Sequence, residues 1–335
     1  MPIVSMNPYT GETIKEFEAL SDSEIKSKLD KAQAVFEEWK TKSYEDRADL
    51  FMKFAEVLEE NKQEYAEIIA QEMGKPIKVG IGEIEKCAWN ARFYAENTSK
   101  FLEIEPIETD AGEKSLVRFD PMGIIVFVMP WNFPFWQVIR QAVPTIMAGN
   151  TVVLKHSSNV PQSALKIQEA FEKTGFPEGT FQTLLIGSDQ VEQVISDFRV
   201  KAISLTGSEG AGSAVASLGG KYLKKSVMEL GGNDPFLVFE DADIASAVKN
   251  CASARMKNSG QVCNSPKRVV VLEEVAEEFI KGLKESYEAL KLGDPMSEET
   301  DLGPLSMESI LNDVSAQVEK SVKAGAEIIT GGKKP

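Results

Sequence analysis

From residue 124 the chain repeats one pattern: a short apolar run rich in β-branched residues, a stretch of helical spacing, then another run. The runs are GIIVFVMP, TVVLKHS, FQTLLIG, VKAISLTGS and KSVMEL, with about ten residues or more between each and the next. Runs this short, without polar alternation, describe strands covered on both faces, and strands linked through helices run parallel. The predicted class is α/β, a doubly wound parallel sheet. Ligands of such sheets lie beyond the carboxyl ends of the strands, which directs attention to the residues that leave each run.

The flanking segments read differently. SDSEIKSKLDKAQAVFEEWK opens on Ser and Asp caps, and SYEDRADLFMKFAEVLEENKQEYAEIIAQEM carries apolar residues at helical spacing up to Gly74 and Pro76. With another helix expected over 80–101, the first hundred residues read as helical. EIEPIETDAGEKSLVRFDPMG then alternates about a D-A-G-E turn, which predicts a β-hairpin arm, an element that often pairs with a neighbouring subunit. After ELGGNDPFLVFE a second α/β unit is expected: a helix over 241–257, the strand KRVVVLEE, a helix over 274–291 and a final helix–strand pair ending in GGKKP.

Composition removes several chemistries. The formal net charge of −15 opposes binding to a phosphate backbone, which needs clustered Lys and Arg, so nucleic acid is not an expected partner. No apolar run reaches the roughly 18–20 residues of a membrane-spanning helix, so a membrane is not an expected partner either. MPIVSMNPYTGETIKEF has neither a basic n-region nor an apolar h-region, which makes the cytoplasm the expected compartment. Cys87, Cys251 and Cys263 form no C-x-x-C pair and suit a reducing environment. His156 is the only histidine, so no metal site of several Cys and His ligands is expected, and base catalysis falls to a carboxylate.

Several strand ends and one loop carry groups with chemistry, each with an ordinary alternative. TGSEGAGSAVASLG is a glycine-rich turn entering a helix, where free N–H groups and the dipole suit a phosphate; turns and caps of this composition also occur without a ligand. Lys155 follows TVVL and reaches ribose hydroxyls or a phosphate, or is a solvated lysine; His156 beside it reads as a structural or surface residue. In VMPWNFPFWQVIRQAVP two prolines bracket Trp131, Asn132 and Phe133, a stiff turn that either fixes an amide for an oxyanion or packs as a rigid aromatic corner. Glu229 ends KSVME ahead of two glycines, as a base or as a solvated carboxylate. Cys263 in NSGQVCNSP is an inert buried thiol or a nucleophile.

In order and spacing these pieces resemble the aldehyde dehydrogenase family. The motifs are PWNFP at 130–134, LTGS at 205–208, MELGGNDP at 228–235 and NSGQVCNSPKR at 258–268, with Cys263 34 positions after Glu229. The resemblance implies a Rossmann-like cofactor domain over 1–102 and 124–229, a β-hairpin oligomerisation arm over 103–123, and an incomplete catalytic domain over 230–335. It implies an enzyme in which the Cys263 thiolate attacks an aldehyde, with the Asn132 amide and the Cys263 N–H holding the oxyanion of the thiohemiacetal. Hydride then passes to a nicotinamide, and Glu229 activates water against the thioester. Pro130, Trp131, Lys155, Ser157 and Ser158 are implied cofactor positions. So are Gly187, the turn Thr206, Gly207 and Ser208, and the pair Leu230 and Gly231.

Family members that prefer NAD commonly show K-P-x-E after this strand, whereas KHSS places Ser158 where the glutamate stands. Losing that carboxylate removes repulsion against a 2′-phosphate, and Lys155 attracts one, so NADP is the expected cofactor, NAD the alternative, and no metal is expected. Arg140, on the helix leaving PWNFP, stands where succinate-semialdehyde dehydrogenases clamp the substrate carboxylate. Lys257 is a second cation where they carry an arginine. With Trp136 these are the expected substrate contacts, and succinic semialdehyde, a short ω-oxo acid, is the expected aldehyde. The family's E-x-F-G-P segment, whose glutamate holds the nicotinamide ribose, is not found, so the chain is expected to correspond to the N-terminal part of a longer homodimeric or homotetrameric member. Two other readings stand beside the dehydrogenase: a nucleotide-binding remnant without turnover, and a non-redox thiol esterase or acyl-transferase using Cys263 and Glu229.

Overall fold

The chain begins with strands rather than helices. Ile3–Met6 (β1) and Thr13–Phe17 (β2) form a two-stranded sheet. Asn7 turns the chain between them, its Oδ1 accepting the Tyr9 N–H at 2.9 Å, and Gly11 takes φ 77°. This corrects the helical reading of the first hundred residues; β2, TIKEF, is short and almost wholly exposed, so it shows no apolar period. The structure, a computed structural model, describes residues 2–110, 112 and 114–334. Met1, Pro335 of the closing GGKKP, and Ala111 and Glu113 of the D-A-G-E turn lie outside the described residues.

Asp22–Trp39 (α1) opens on a capping box: Ser21 Oγ accepts the Glu24 N–H at 3.4 Å and Glu24 Oε2 accepts the Ser21 N–H at 2.8 Å. Its stripe Ile25, Leu29, Ala32, Phe36 and Trp39 is buried. Tyr44–Glu60 (α2) repeats the device with Ser43 and Asp46. The helix expected to continue to Gly74 breaks instead at Asn61, whose side-chain amide donates to Val57 O at 2.7 Å before Lys62–Met73 (α3) resumes. Ile77–Phe101 (α4) follows, then Glu105–Ile107 (β3) and Ser115–Val117 (β4), an exposed antiparallel pair.

Two compact units result: Met1–Ser5, Thr13–Ile68 and Ile81–Leu230 form one, and Met6–Glu12, Ile69–Gly80 and Gly231–Pro335 the other. The first holds Ile124–Met129 (β5), Pro134–Met147 (α5), Thr151–His156 (β6), Pro161–Thr174 (α6), Phe181–Thr183 (β7), Val191–Ser196 (α7), Val200–Thr206 (β8), Glu209–Lys221 (α8) and Lys225–Glu229 (β9). Its sheet is parallel throughout, in the order β7-β6-β5-β8-β9. Alternation splits the strands between two cores: Ile124, Val126, Val153 and Ile203 pack with residues of α1, α7 and α8. Ile125, Phe127, Val152 and Leu154 point the other way and are buried where α5 and α6 lie against the strands. Two expectations need correction. The edge strand β9 is exposed along most of its length rather than covered on both faces, and β7 connects to β8 through a 3-10 turn and a six-residue helix, shorter than expected.

The second unit contains Asp234–Val238 (β10), Ile244–Met256 (α9), Pro266–Val271 (β11), Glu273–Glu288 (α10) and Glu308–Lys323 (α11). β10 and β11 pair in parallel, and Val238, Val248, Cys251 and Phe279 form their core. Leu237 and Val270 are exposed, so these strands too are covered on one face only. Among the described residues the expected closing strand is not formed. Residues 326–330 follow α11 without a ladder partner, and Ile328 and Ile329 are exposed; a β-prone run without a neighbour has no ladder to join.

Within this unit the segment 291–306 is laced to the junction of α3 and α4. Pro295 O accepts the Ile77 N–H at 2.8 Å, and Lys78 pairs with Asp301 at 2.7 Å. A Cβ built on Gly303 would lie 2.0 Å from the Gly74 carbonyl oxygen, so the two backbones meet where no side chain fits. Gly303→Ala is therefore expected to destabilise the protein by about 1–3 kcal/mol, seen as a lowered thermal midpoint. Gly82→Ala, whose Cβ meets nothing on α4, is expected to leave the midpoint unchanged or raise it.

Candidate active site

The strand order reverses between β5 and β8, and at that switch point the chain leaves β5 as Pro130–Phe133 and β8 as Gly207–Ser208. Register aligns the neighbours: Met129 faces His156 and Thr206 faces Glu229, with the Gly207 N–H donating to Glu229 O at 3.0 Å. Candidate residues dispersed over about a hundred positions of sequence thus share one edge of one sheet.

The turn at 130–136 is held from two sides. Phe133 at the start of α5 provides no side-chain cap and Pro134 has no N–H, which leaves the next amides in need of an acceptor. Glu83 on α4, only 4% exposed, supplies it: its Oε1 accepts the Phe135 and Trp136 N–H groups at 2.9 Å each. The Lys86 ammonium lies 3.9 Å from the centre of the Trp136 ring. On the other side is His156, 5% exposed. Its Nε2 lies 3.0 Å from Pro134 O and its Nδ1 2.8 Å from the Ser157 nitrogen, whose N–H also donates to Met129 O at 2.9 Å. Burial, with the Lys155 charge adding to it, pushes the imidazole pKa down to about 4, so the ring is neutral at ordinary pH. Asn132 lies half-buried in the turn so held.

The remaining strand ends divide by what already engages them. Lys155 is half-buried, its ammonium lowered in pKa by burial with no carboxylate offsetting the shift. Ser157 donates to Asn159 Oδ1 at 2.7 Å, while Ser158 is exposed. Gly187 donates its N–H to Gln190 Oε1 at 3.2 Å. Ser208 caps α8 by accepting the Ala211 N–H at 3.3 Å, and a Cβ on Gly210 in the first turn would meet nothing, so that helix start is open to a ligand. Leu230 packs on Gly212, where a Cβ would come within 2.5 Å of its side chain. The Thr206 hydroxyl is taken by α5: it accepts from Arg140 Nη2 at 3.1 Å and Gln141 Nε2 at 3.2 Å.

In the second unit the chain leaves α9 through Lys257 into three consecutive left-handed residues, Asn258, Ser259 and Gly260, with φ of 53°, 54° and 79°. Two of these are not glycine, a strained conformation that persists only where its surroundings hold it. Ser259 Oγ donates to Gly303 O at 2.9 Å, Gln261 Oε1 accepts the Ser306 N–H at 3.1 Å, and Arg255 donates to Gly260 O at 3.1 Å. Beyond the strained loop lies Cys263, exposed, whereas Cys87 and Cys251 are buried and burial pushes the Cys251 thiol up. The Lys267 ammonium donates to the Cys263 carbonyl, and a Cβ on Gly232 would lie 3.8 Å from that same oxygen. Among the described residues no group of three or more His, Cys, Asp or Glu could hold a metal ion, and no helix is long and apolar enough to cross a membrane.

The first unit is thus a doubly wound sheet with a glycine-bearing helix start at its switch point, and the second carries an exposed cysteine on a strained loop. The chain belongs to the aldehyde dehydrogenase family, whose family model matches residues 1–335. Among its relatives, a probable NADP(+) succinate-semialdehyde dehydrogenase of Synechocystis is 48% identical over 332 residues, covering 99% of this chain and 73% of that protein. The NADP(+) succinate-semialdehyde dehydrogenase of Mycobacterium avium is 44% identical, with 99% and 71% covered. The crystal structure of succinic semialdehyde dehydrogenase from Streptococcus pyogenes in complex with NADP+ superposes with a TM-score of 0.97 at 37% identity, covering 99% of this chain and 73% of that one.

Glu83 escaped the sequence reading because a glutamate in a helix reads as a surface residue. The signal that could have found it is the Phe-Pro start of α5, a helix with no cap of its own. His156 carries a measurable consequence. Its pKa near 4 lies below the unfolded 6.5, so its contribution to stability is complete above pH 6.5 and is lost as pH falls towards 4, in all about 3 kcal/mol. The thermal midpoint of the wild type is expected to fall over that window, and that of His156→Gln to fall less steeply.

Proposed function

We propose that the chain oxidises succinic semialdehyde to succinate, with NADP+ as the acceptor, through Cys263. The observation that carries this reading is that Cys263 alone of the three cysteines is exposed, and that it sits in the NSGQVCNSPKR motif on a strained, tethered loop. The Mycobacterium avium relative is an NADP(+) succinate-semialdehyde dehydrogenase and the Synechocystis relative a probable one, which supports the substrate and the cofactor. Fit to NADP+ is supported by the uncompensated, half-buried Lys155, the exposed Ser158 in place of a carboxylate, and the open first turn of α8 at Ser208–Gly210. On this reading 124–229 is the cofactor-binding core and the portion from 230 onward carries the nucleophile.

In the proposed reaction the Cys263 thiolate adds to the aldehyde carbon, forming a C–S bond, while the Asn132 amide and the Cys263 N–H hold the resulting oxyanion. Glu83 and His156 keep Asn132 ready for this by fixing its turn. Bound NADP+ supplies the two-electron acceptor needed to reach the thioester. Glu229 takes a proton from water, whose oxygen adds to the thioester carbonyl; the C–S bond breaks and Cys263 leaves as the thiolate. Arg140 is the proposed partner of the substrate carboxylate, with Lys257 a second cation and Trp136 an apolar wall.

The test is formation of NADPH from succinic semialdehyde by the purified chain. Cys263→Ser, or alkylation of the thiol, is expected to abolish it, a loss of about a thousandfold or more. Undiminished oxidation after alkylation would overturn the mechanism. NADPH binding without oxidation would instead support a nucleotide-binding remnant, and ester hydrolysis independent of NADP+ a non-redox thiol enzyme. Arg140→Ala is expected to lose at least about tenfold more on succinic semialdehyde than on butanal. For the cofactor, kcat/KM is expected to favour NADP+ over NAD+ by about tenfold, with Ser158→Glu narrowing or reversing the ratio; an unchanged ratio in that variant counts against the assignment.

A further inference from the structure

We infer that Thr206 is a positioning residue for Arg140, so that selectivity for a carboxylated aldehyde is set in part from the end of β8. The inference rests on the reading of Arg140 as the carboxylate partner. Thr206 is only 7% exposed, and its hydroxyl accepts from Arg140 Nη2 at 3.1 Å and from Gln141 Nε2 at 3.2 Å. Gln141 is itself fixed by the Ser204 hydroxyl, which donates to its Oε1 from the same strand. Arg140 and Gln141 on α5 are thus tied to alternate residues of β8.

The chemistry of the tether matters as much as its position. An acidic partner would orient the guanidinium but cancel its charge, and a substrate carboxylate would then have to compete with it. A hydroxyl orients without neutralising. The Arg140 guanidinium is tied through Nη2 to the Thr206 hydroxyl, and its buried Nε has no hydrogen-bond partner among the described residues. A half-buried guanidinium tethered by a hydroxyl is suited to an anion, and a flexible side chain held in one rotamer has less freedom to lose when that anion arrives. Thr206 also stands directly before Gly207–Ser208 and faces Glu229 in the sheet, so the tether fixes Arg140 relative to two other proposed site elements.

The test compares Thr206→Val, which keeps shape and removes the hydroxyl, with Thr206→Ser, which keeps the hydroxyl. The readout is the ratio of kcat/KM on succinic semialdehyde to that on butanal. Thr206→Val is expected to lower this ratio about tenfold, Thr206→Ser to restore it, and Thr206→Val to lower it no further in an Arg140→Ala background. Equal losses on both aldehydes, or failure of Thr206→Ser to restore the ratio, would overturn the inference. Should Arg140→Ala itself lose equally on both aldehydes, the substrate reading falls and this inference with it. A selective Arg140→Ala beside an unselective Thr206→Val would sink only the role of Thr206. Calorimetric titration of the same variants with butanoate against the neutral butanamide gives the comparison of charged and uncharged ligand without turnover, with the same outcomes for and against.

Discussion

The places of Asn132, Lys155 and the Thr206–Ser208 turn depend on the burial of β5, β6 and most of β8 on both faces. Strands whose two faces are filled mostly with Ile, Val, Leu and Phe have few places for polar side chains, Thr151 and Ser204 among them, so most polar groups collect where the chain leaves the sheet. The reversal of strand order between β5 and β8 opens the place for it, and the residues leaving those two strands, Asn132 and the Thr206–Ser208 turn, lie on either side of the reversal. Apolar packing thus sets the positions, and hydrogen bonds set the orientations.

The turn at 130–136 shows how the second step works. Its helix lacks a cap of its own, and a carboxylate from α4 and a neutral imidazole from β6 take up its amides and a carbonyl. Both are buried, and both are engaged on the backbone of the turn, so neither is a free acid or base for substrate chemistry. The single histidine, which might have been taken for a catalyst, has both ring nitrogens engaged by backbone groups. Its low basicity follows from the packing that makes it useful as a tie.

The central sheet was readable in the sequence because it carries a strong local signal, β-branched runs of strand length, and the family because its motifs stand in order at strand ends. The rest was hidden for identifiable reasons. β1 and β2 are short, and β2 alternates charge with isolated apolar residues, so tertiary pairing rather than period defines them. The break at Asn61 depends on a side-chain cap within a sequence of good helix formers. The apolar residues at 326–330 looked like a strand, but a strand exists only through a neighbour. Glu83 and the left-handed pair Asn258–Ser259 depend on partners distant in sequence, which no window around them contains.

The contact of Gly303 on Gly74 has a bearing on how the molecule is made. More than two hundred residues separate the two glycines, and the unit they belong to gathers segments from 6–12, 69–80 and 231 onward. Such a unit has high contact order and cannot close while its later half is still within the ribosome. During synthesis the junction of α3 and α4 must therefore wait, solvated and incomplete, until the chain has emerged past residue 303.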